Sequence, residues 1–195
     1  MWFTQARCDD IVRHGDVLPK LRRAGLRWVL LGVENQKEST LESFRKNITA
    51  EDAKEAVRLL KKNDIFAHAM FIIGERKDTA KSIAELREFV NDLDPDFAIF
   101  AILTPFPGTE LYDEARRNGW IEDFNWSNYD MIHAIMPTET LSTKEVQEEL
   151  YDCYRSFYGS WERRIGGLFS GNAIRRGVYW HMTSRGIMRQ LRELF

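Results

Sequence analysis

The chain reads as an α/β protein built on parallel strands, and three features of the sequence predict this. Short apolar runs recur at Trp28 to Leu31, Phe66 to Ile73 and Phe97 to Leu103. Amphipathic helical stretches of a dozen or more residues separate them, long enough for crossover connections, which are right-handed in parallel sheets. The run from Phe66 to Ile73 is apolar almost throughout, as a strand covered on both faces should be. Four such strands fit either an open sheet or a segment of a barrel.

Taken in order, Trp2 to Arg7 alternates large apolar and polar residues and reads as a first strand. A helical stretch from Asp9 to Ala24 follows and stops at Gly25, a residue suited to a helix C-terminus. Trp28 to Leu31 is the second strand, ending at Gly32-Val33-Glu34 with a carboxylate where the chain turns. Thr40 to Arg45 suits a short helix. Thr49-Ala50-Glu51-Asp52 resembles a capping box, opening a helix to about Lys62 whose Ala53, Ala56, Val57, Leu59 and Leu60 share one face. After the third strand comes the polar loop Gly74 to Thr79, then a helix with Ile83, Leu86, Phe89, Val90 and Leu93 at helical spacing. The fourth strand ends in Thr104-Pro105-Phe106-Pro107-Gly108-Thr109. Its prolines cannot extend a ladder, and Thr109 can cap a helix from Glu110 to Asn118. Trp120 to Met136 is aromatic and turn-like. Ser142 to Glu145 is a capping box for a helix to about Tyr158, and Asn172 to Phe195 reads as helical with a break near Gly186. These boundaries predict two parts, residues 1–136 and a helical C-terminal extension, residues 137–195.

The 195 residues are 44% hydrophobic and 30% charged, the composition of a globular chain. No apolar run approaches the roughly 20 residues that cross a bilayer. The start MWFTQARCDD lacks a signal peptide's basic and apolar regions, so the expected location is cytoplasmic. Cys8 and Cys153 are too far apart in sequence for a metal-binding motif and read as reduced thiols. Charge is uneven: the residues from Gly159 on carry seven arginines and two glutamates, net +5, against −7 for the rest. The simplest use of a basic tail on an acidic body is docking of one on the other, and the acidic body argues against nucleic acid as a partner.

The strand ends place Arg7, Glu34, Gly74 and the loop from Pro105 to Thr109 on one rim, where ligands sit in parallel α/β folds. A carboxylate can accept from ribose hydroxyls, a cation can hold a carboxylate, and glycine lets a ligand approach the backbone. Each has a plainer reading: Glu34 as a solvated turn residue, Lys46 as surface charge, the Pro-Gly loop as a turn. His68 alternates in phase with Met70 and Ile72 and reads as a packed, hydrogen-bonded core histidine. No Ser-His-Asp arrangement, phosphate loop or dinucleotide fingerprint is present.

The order of these motifs, a strand ending in Arg7, Arg23-Ala24-Gly25 leading to Gly32-Val33-Glu34, Lys46 a dozen residues later, Phe71-Ile72-Ile73-Gly74 and then Thr104 to Thr109, resembles the later half of radical S-adenosylmethionine enzymes. The similarity is to the cobalamin-binding-domain type that includes the anaerobic magnesium-protoporphyrin monomethyl ester cyclase, and it spans roughly Trp2 to Tyr158. It implies a partial β/α barrel of six strands, of which this chain supplies the last four. It further implies S-adenosylmethionine and a 4Fe-4S cluster as cofactors and allows cobalamin. Glu34 would contact the ribose and Lys46 the methionyl carboxylate, with Arg7 near the methionyl group. Ile73 and Gly74 would lie along the adenine, and Pro105 to Thr109 would line the rim.

The departures are equally informative. The cluster motif CxxxCxxC, the glycine-rich second-strand motif and a cobalamin domain are absent, Met70 stands where some relatives place a ribose-binding acid, and Glu75 to Thr79 departs from the usual loop. Without a cluster the cofactor cannot be cleaved reductively, so the chain alone is expected to be inactive, the C-terminal portion of such an enzyme. The rival expectations are a non-catalytic module that completes its barrel with a partner chain or a second copy, and a barrel-derived enzyme using Glu34 as acid or base. The substrate would be a small molecule, an anionic tetrapyrrole or a lipid. Arg163, Arg164, Arg175 and Arg176 are then either contacts to its carboxylates or anchors on the acidic body.

Overall fold

The computed structural model describes residues 1–37, 40–41 and 48–194, with side chains through residue 184. Four strands, β1 (Trp2–Ala6), β2 (Leu26–Glu34), β3 (Phe66–Ile73) and β4 (Phe97–Ile102), form one sheet in that order, every pair parallel. Sequential parallel neighbours joined by helices are the β/α repeat expected from the sequence.

The helices are α1 (Cys8–Arg13), α2 (Leu18–Arg23), α3 (Ala50–Lys62), α4 (Ala80–Leu93), α5 (Glu110–Arg117), α6 (Thr143–Gly159), α7 (Trp161–Leu168) and α8 (Ala173–Leu194). Thr49 and Ser142 close the capping boxes expected of them, and Thr79 closes another with Ser82. Three expectations need correction. The stretch from Asp9 to Ala24 is two helices, because Pro19 lacks an N–H and sits at the start of α2 after a 3-10 turn, Gly15–Val17. β2 is twice as long as its apolar centre and includes Glu34. α8 runs through Gly186 without a break, since an interior glycine costs a helix only about 1 kcal/mol. Most of the short helix expected at Thr40 to Arg45 lies outside the described residues.

One face of the sheet carries the core. Val29, Leu31 and Val33 of β2, Ala67, Ala69, Phe71 and Ile73 of β3, and Ala98, Phe100 and Ile102 of β4 are buried with apolar residues of α1, α3, α4 and α6. By strand alternation Trp28, Leu30, Gly32, His68, Met70 and Ile99 point to the other face, the inner wall of a partial barrel. Its lower end is floored by aromatic rings, Trp28 on Phe66 at 4.4 Å, His68 against Phe97 at 5.0 Å, and Phe97 against Tyr158 at 5.4 Å.

The two sheet edges differ. On β4 the outward amides of Ala98 and Phe100 donate to the hydroxyls of Tyr158 (3.0 Å) and Tyr154 (3.2 Å), and the same hydroxyls donate back to the Ala98 and Phe100 carbonyls at 2.7 and 2.9 Å. Ile102 completes the edge, its N–H on the Met131 carbonyl at 2.7 Å and its carbonyl receiving the Thr104 hydroxyl at 3.0 Å. The geometry works because one hydroxyl both donates and accepts, and because four residues along a helix advance about 6 Å, close to two residues of strand. On β1 the Trp2 N–H reaches Gly25 on the β2 side, so Phe3 and Gln5 present their amides outward. Among the described residues only the Thr4 hydroxyl, on the Gln5 carbonyl at 3.2 Å, meets that edge.

The C-terminal helices dock on the acidic body. Arg163 pairs with Asp94, Arg175 with Asp96 at 3.0 Å, and Asn172 Nδ2 donates to Asp64 at 2.8 Å. Tyr179 is buried against Gly167, where an added Cβ would meet its ring at 2.2 Å. Phenylalanine at Tyr154 or Tyr158 is expected to lower stability in urea denaturation by roughly 1–2 kcal/mol, leaving edge groups unpaired. Gly167→Ala should expel Tyr179 and release α8, read as increased proteolysis at residues 173–194 with the strands still protected.

Candidate functional site

A cavity of about 600 Å³ opens on the inner wall at the carboxyl ends of β1, β2 and β3, lined by Gln5, Ala6, Arg7, Asp10, Leu30, Gly32, Glu34 and Met70. Its size suits a nucleoside-sized ligand. Glu34 follows Leu30 and Gly32 on this face and sits on an irregular backbone. The β2–β3 register shifts between Gly32 and Glu34, and Glu34 adopts φ 64, a left-handed conformation rare for a residue with a side chain. Such strain persists only where neighbours fix it. Here the neighbour is buried Asn35, whose N–H binds the Val33 carbonyl at 2.8 Å and whose Oδ1 accepts the Lys37 N–H at 3.0 Å, tightening the turn beyond the strand.

Of the residues singled out from the sequence, Arg7 and Glu34 therefore meet in the cavity, joined by Met70 of β3. The Arg7 guanidinium is already engaged, donating from Nε and Nη2 to Asp9 at 2.9 and 3.2 Å, and this pair holds the Asp9 carboxyl below the usual carboxylate range. Asp10 faces Arg13 at 3.5 Å. The cavity wall thus holds Glu34 beside two ion pairs, Arg7 with Asp9 and Asp10 with Arg13, a polar surface suited to hydroxyls.

Ile73, Gly74 and Pro105 lie outside the cavity lining. The Ile73 side chain is fully buried in the helix-facing core, and its carbonyl accepts the Leu103 N–H at 2.8 Å. Gly74 has φ +81 and would press a Cβ on Val146 at 3.2 Å, so packing under α6 accounts for it. Buried Asp78 fixes this loop, accepting from the Gly74 and Glu75 amides at 3.0 and 3.1 Å and from the Ser82 hydroxyl at 2.8 Å. Burial still pushes its carboxyl up, those bonds opposing. Pro105 is buried beside the rim, and Thr109 caps α5 through the Tyr112 N–H at 3.2 Å. Lys46 lies outside the described residues. Sequence reasoning missed Gln5, Asp10 and Gly32. Gln5 carried a signal, being the polar member of β1 in phase with the inner wall.

His68 is packed as expected, its Nδ1 accepting the Trp28 indole N–H at 3.1 Å. Burial lowers its pKa from 6.5 to about 4. Cys8 and Cys153 are reduced, buried and in separate helices, and burial pushes the Cys153 thiol up to about 12. Among the described residues no group of His, Cys, Asp or Glu is arranged to hold a metal ion.

No family model matches the chain. It is 34% identical over 157 residues to the anaerobic magnesium-protoporphyrin IX monomethyl ester cyclase of Cereibacter sphaeroides, covering 80% of this chain and 25% of that protein. It is 30% identical over 190 residues to an uncharacterized methyltransferase of Pyrococcus horikoshii, covering 96% and 40%. The chain therefore spans well under half the length of these curated relatives. Among solved structures, the Kitasatospora setae radical S-adenosylmethionine methyltransferase TsrM, determined with cobalamin and a 4Fe-4S cluster bound, superposes with a TM-score of 0.58 over 99% of this chain and 44% of its own, at 16% identity. Coproporphyrinogen III oxidase from Escherichia coli, a radical SAM enzyme, superposes with a TM-score of 0.57 over 80% and 31%, also at 16%. The four-stranded α/β sheet thus has the fold of part of the barrel in these radical S-adenosylmethionine enzymes.

A histidine held neutral in the folded state stabilises fully above pH 6.5, the pKa of the unfolded chain, and less as pH falls toward about 4. We expect urea denaturation to show a loss of roughly 2–3 kcal/mol across that window from this group, with His68→Gln flattening that part of the profile. An unchanged profile in the variant would remove the assignment.

Proposed function

We propose, on the premise that the chain is a homologue of one segment of radical S-adenosylmethionine cyclases and methyltransferases, that it forms one wall of an S-adenosylmethionine site and contributes to a larger enzyme. The observation that carries this is the convergence of Glu34, Arg7 and Asp10 in one cavity at the ends of parallel strands. The Glu34 carboxylate would accept the ribose hydroxyls. Asp10 would face the positively charged methionyl end, and the backbone at Gly32 would admit close approach. Lys46 remains the proposed partner of the methionyl carboxylate, and Ile73, Gly74 and Pro105 are proposed to act through backbone at the rim. Bound there, S-adenosylmethionine would supply one-electron radical chemistry to the complete enzyme, with the reducing cluster held by residues outside this chain.

The cluster does not fit this chain. Cys8 and Cys153 are buried in α1 and α6, and the ligands must come from elsewhere. Cobalamin, if the complete enzyme uses it, would likewise be held by other residues. The substrate we propose is an anionic small molecule of the tetrapyrrole or lipid class.

A second reading is favoured by the unsealed outer edge of β1, which suits addition of the strands that would precede it. Whether supplied by the same polypeptide or a partner, those strands would pair at β1, since β4 is closed to them.

Titration calorimetry with S-adenosylhomocysteine is expected to show binding that Glu34→Gln weakens about tenfold or more, the scale of a lost charged hydrogen bond. Equal binding by Glu34→Gln and Lys46→Ala variants would remove this site. After anaerobic reconstitution with iron and sulfide, the chain alone should release no 5′-deoxyadenosine, and release would overturn the claim that the cluster ligands lie elsewhere. In light scattering, a stable monomer at high concentration would count against the edge reading.

A further inference from the structure

α7 and its C-cap residue Phe169 carry an apolar stripe that the described residues leave exposed. Trp161, Ile165 and Phe169, one helical turn apart, are 73%, 55% and 80% exposed. The opposite side of the same helix is docked, with Gly167 under the Tyr179 ring and Arg163 on the Phe157 ring at 3.9 Å and against Asp94. The stripe is therefore the outward side of a helix fixed in orientation.

Exposed arginines stand at both ends of it. Arg164 lies over the Trp161 ring at 5.6 Å and donates to the Tyr158 carbonyl at 2.8 Å. Arg176 donates to the Ser170 carbonyl at 2.6 Å, one residue beyond Phe169. Their sequence neighbours Arg163 and Arg175 are spent on Asp94 and Asp96, whereas Arg164 and Arg176 can meet an outside partner. Trp180 of α8 adds another exposed aromatic. The region from Gly159 on carries net +5.

We propose that α7 and the start of α8 form a docking surface for an anionic lipid bilayer. Tryptophan and phenylalanine are the side chains that settle at the headgroup boundary, and arginines beside them meet lipid phosphates while their stems stay among the apolar groups. The charges give the orientation: with Arg163 and Arg175 paired inward, the exposed Arg164 and Arg176 turn this face to the lipid, and the rest of the chain, net −7, is repelled from it. A protein partner would have to be both acidic and apolar over the same stripe, whereas an anionic bilayer is both by nature. Among the described residues no helix is long and apolar enough to cross a membrane, so the helix would lie on the surface.

Flotation of the chain with phosphatidylglycerol vesicles and with phosphatidylcholine vesicles tests this. Binding is expected to the first and not the second, and to fall with added salt. Arg164→Gln with Arg176→Gln should weaken it on the order of tenfold, and Trp161→Ser with Phe169→Ser should abolish it, both variants keeping the wild-type circular dichroism spectrum. Absence of binding to phosphatidylglycerol vesicles overturns the proposal, as does binding that neither variant reduces. Dimerisation in light scattering that Trp161→Ser removes would assign the stripe to a second copy instead and overturn it equally.

Discussion

The hydrogen bonds that close the outer edge of β4 set the organisation of the molecule. A parallel sheet must end somewhere, and each end exposes alternate amides and carbonyls that either find partners or invite another strand. Here two tyrosines one turn apart on α6 supply donors and acceptors at the strand's own spacing, and the Thr104 hydroxyl and Met131 carbonyl finish the row. The same helix inserts Val146, Leu150, Cys153 and Phe157 into the core. Edge closure and core packing are thus one piece of structure, and growth of the sheet is directed to β1.

That direction bears on the candidate site. Among the described residues the cavity is walled by β1, β2 and β3 and the turn after β1, next to the open edge of the sheet. Its main feature, Glu34 in a left-handed bulge, is a local distortion held by Asn35. Glu34 keeps the face of Leu30 and Gly32, and the distortion shifts its pairing with β3 at the strand's end. Glycine at the neighbouring strand end has a different basis, since Gly74 is required by the turn and by Val146 above it. Similar positions on one rim therefore divide into a cavity-lining residue and a packing residue.

The C-terminal helices follow the charge imbalance. Arg163 and Arg175 neutralise aspartates at the lower end of β4, and burial that raises the Asp96 carboxyl is opposed by the Ala67 amide and by Arg175. Fixing these two arginines inward orients α7, and that orientation exposes the apolar stripe and its flanking cations.

Much of this fold was determined by the sequence itself. The crossover lengths, the capping boxes at Thr49 and Ser142, and the largely apolar run from Phe66 to Ile73 dictate parallel β/α units because caps and periodicity act within a few residues. His68 as a packed core residue follows from alternation in the same way. Helix breaks were less legible: Pro19 divided a stretch that periodicity joined, while Gly186 did not divide one that looked separable. What only the tertiary structure decided are the contacts between residues far apart in the chain: Tyr154 and Tyr158 on β4, Val146 over Gly74, and Gln5, Asp10 and Glu34 around one cavity. Local spacing carries no information on which distant hydroxyl satisfies a strand edge or which strand-end side chain meets another, because those are fixed by sheet register and helix docking.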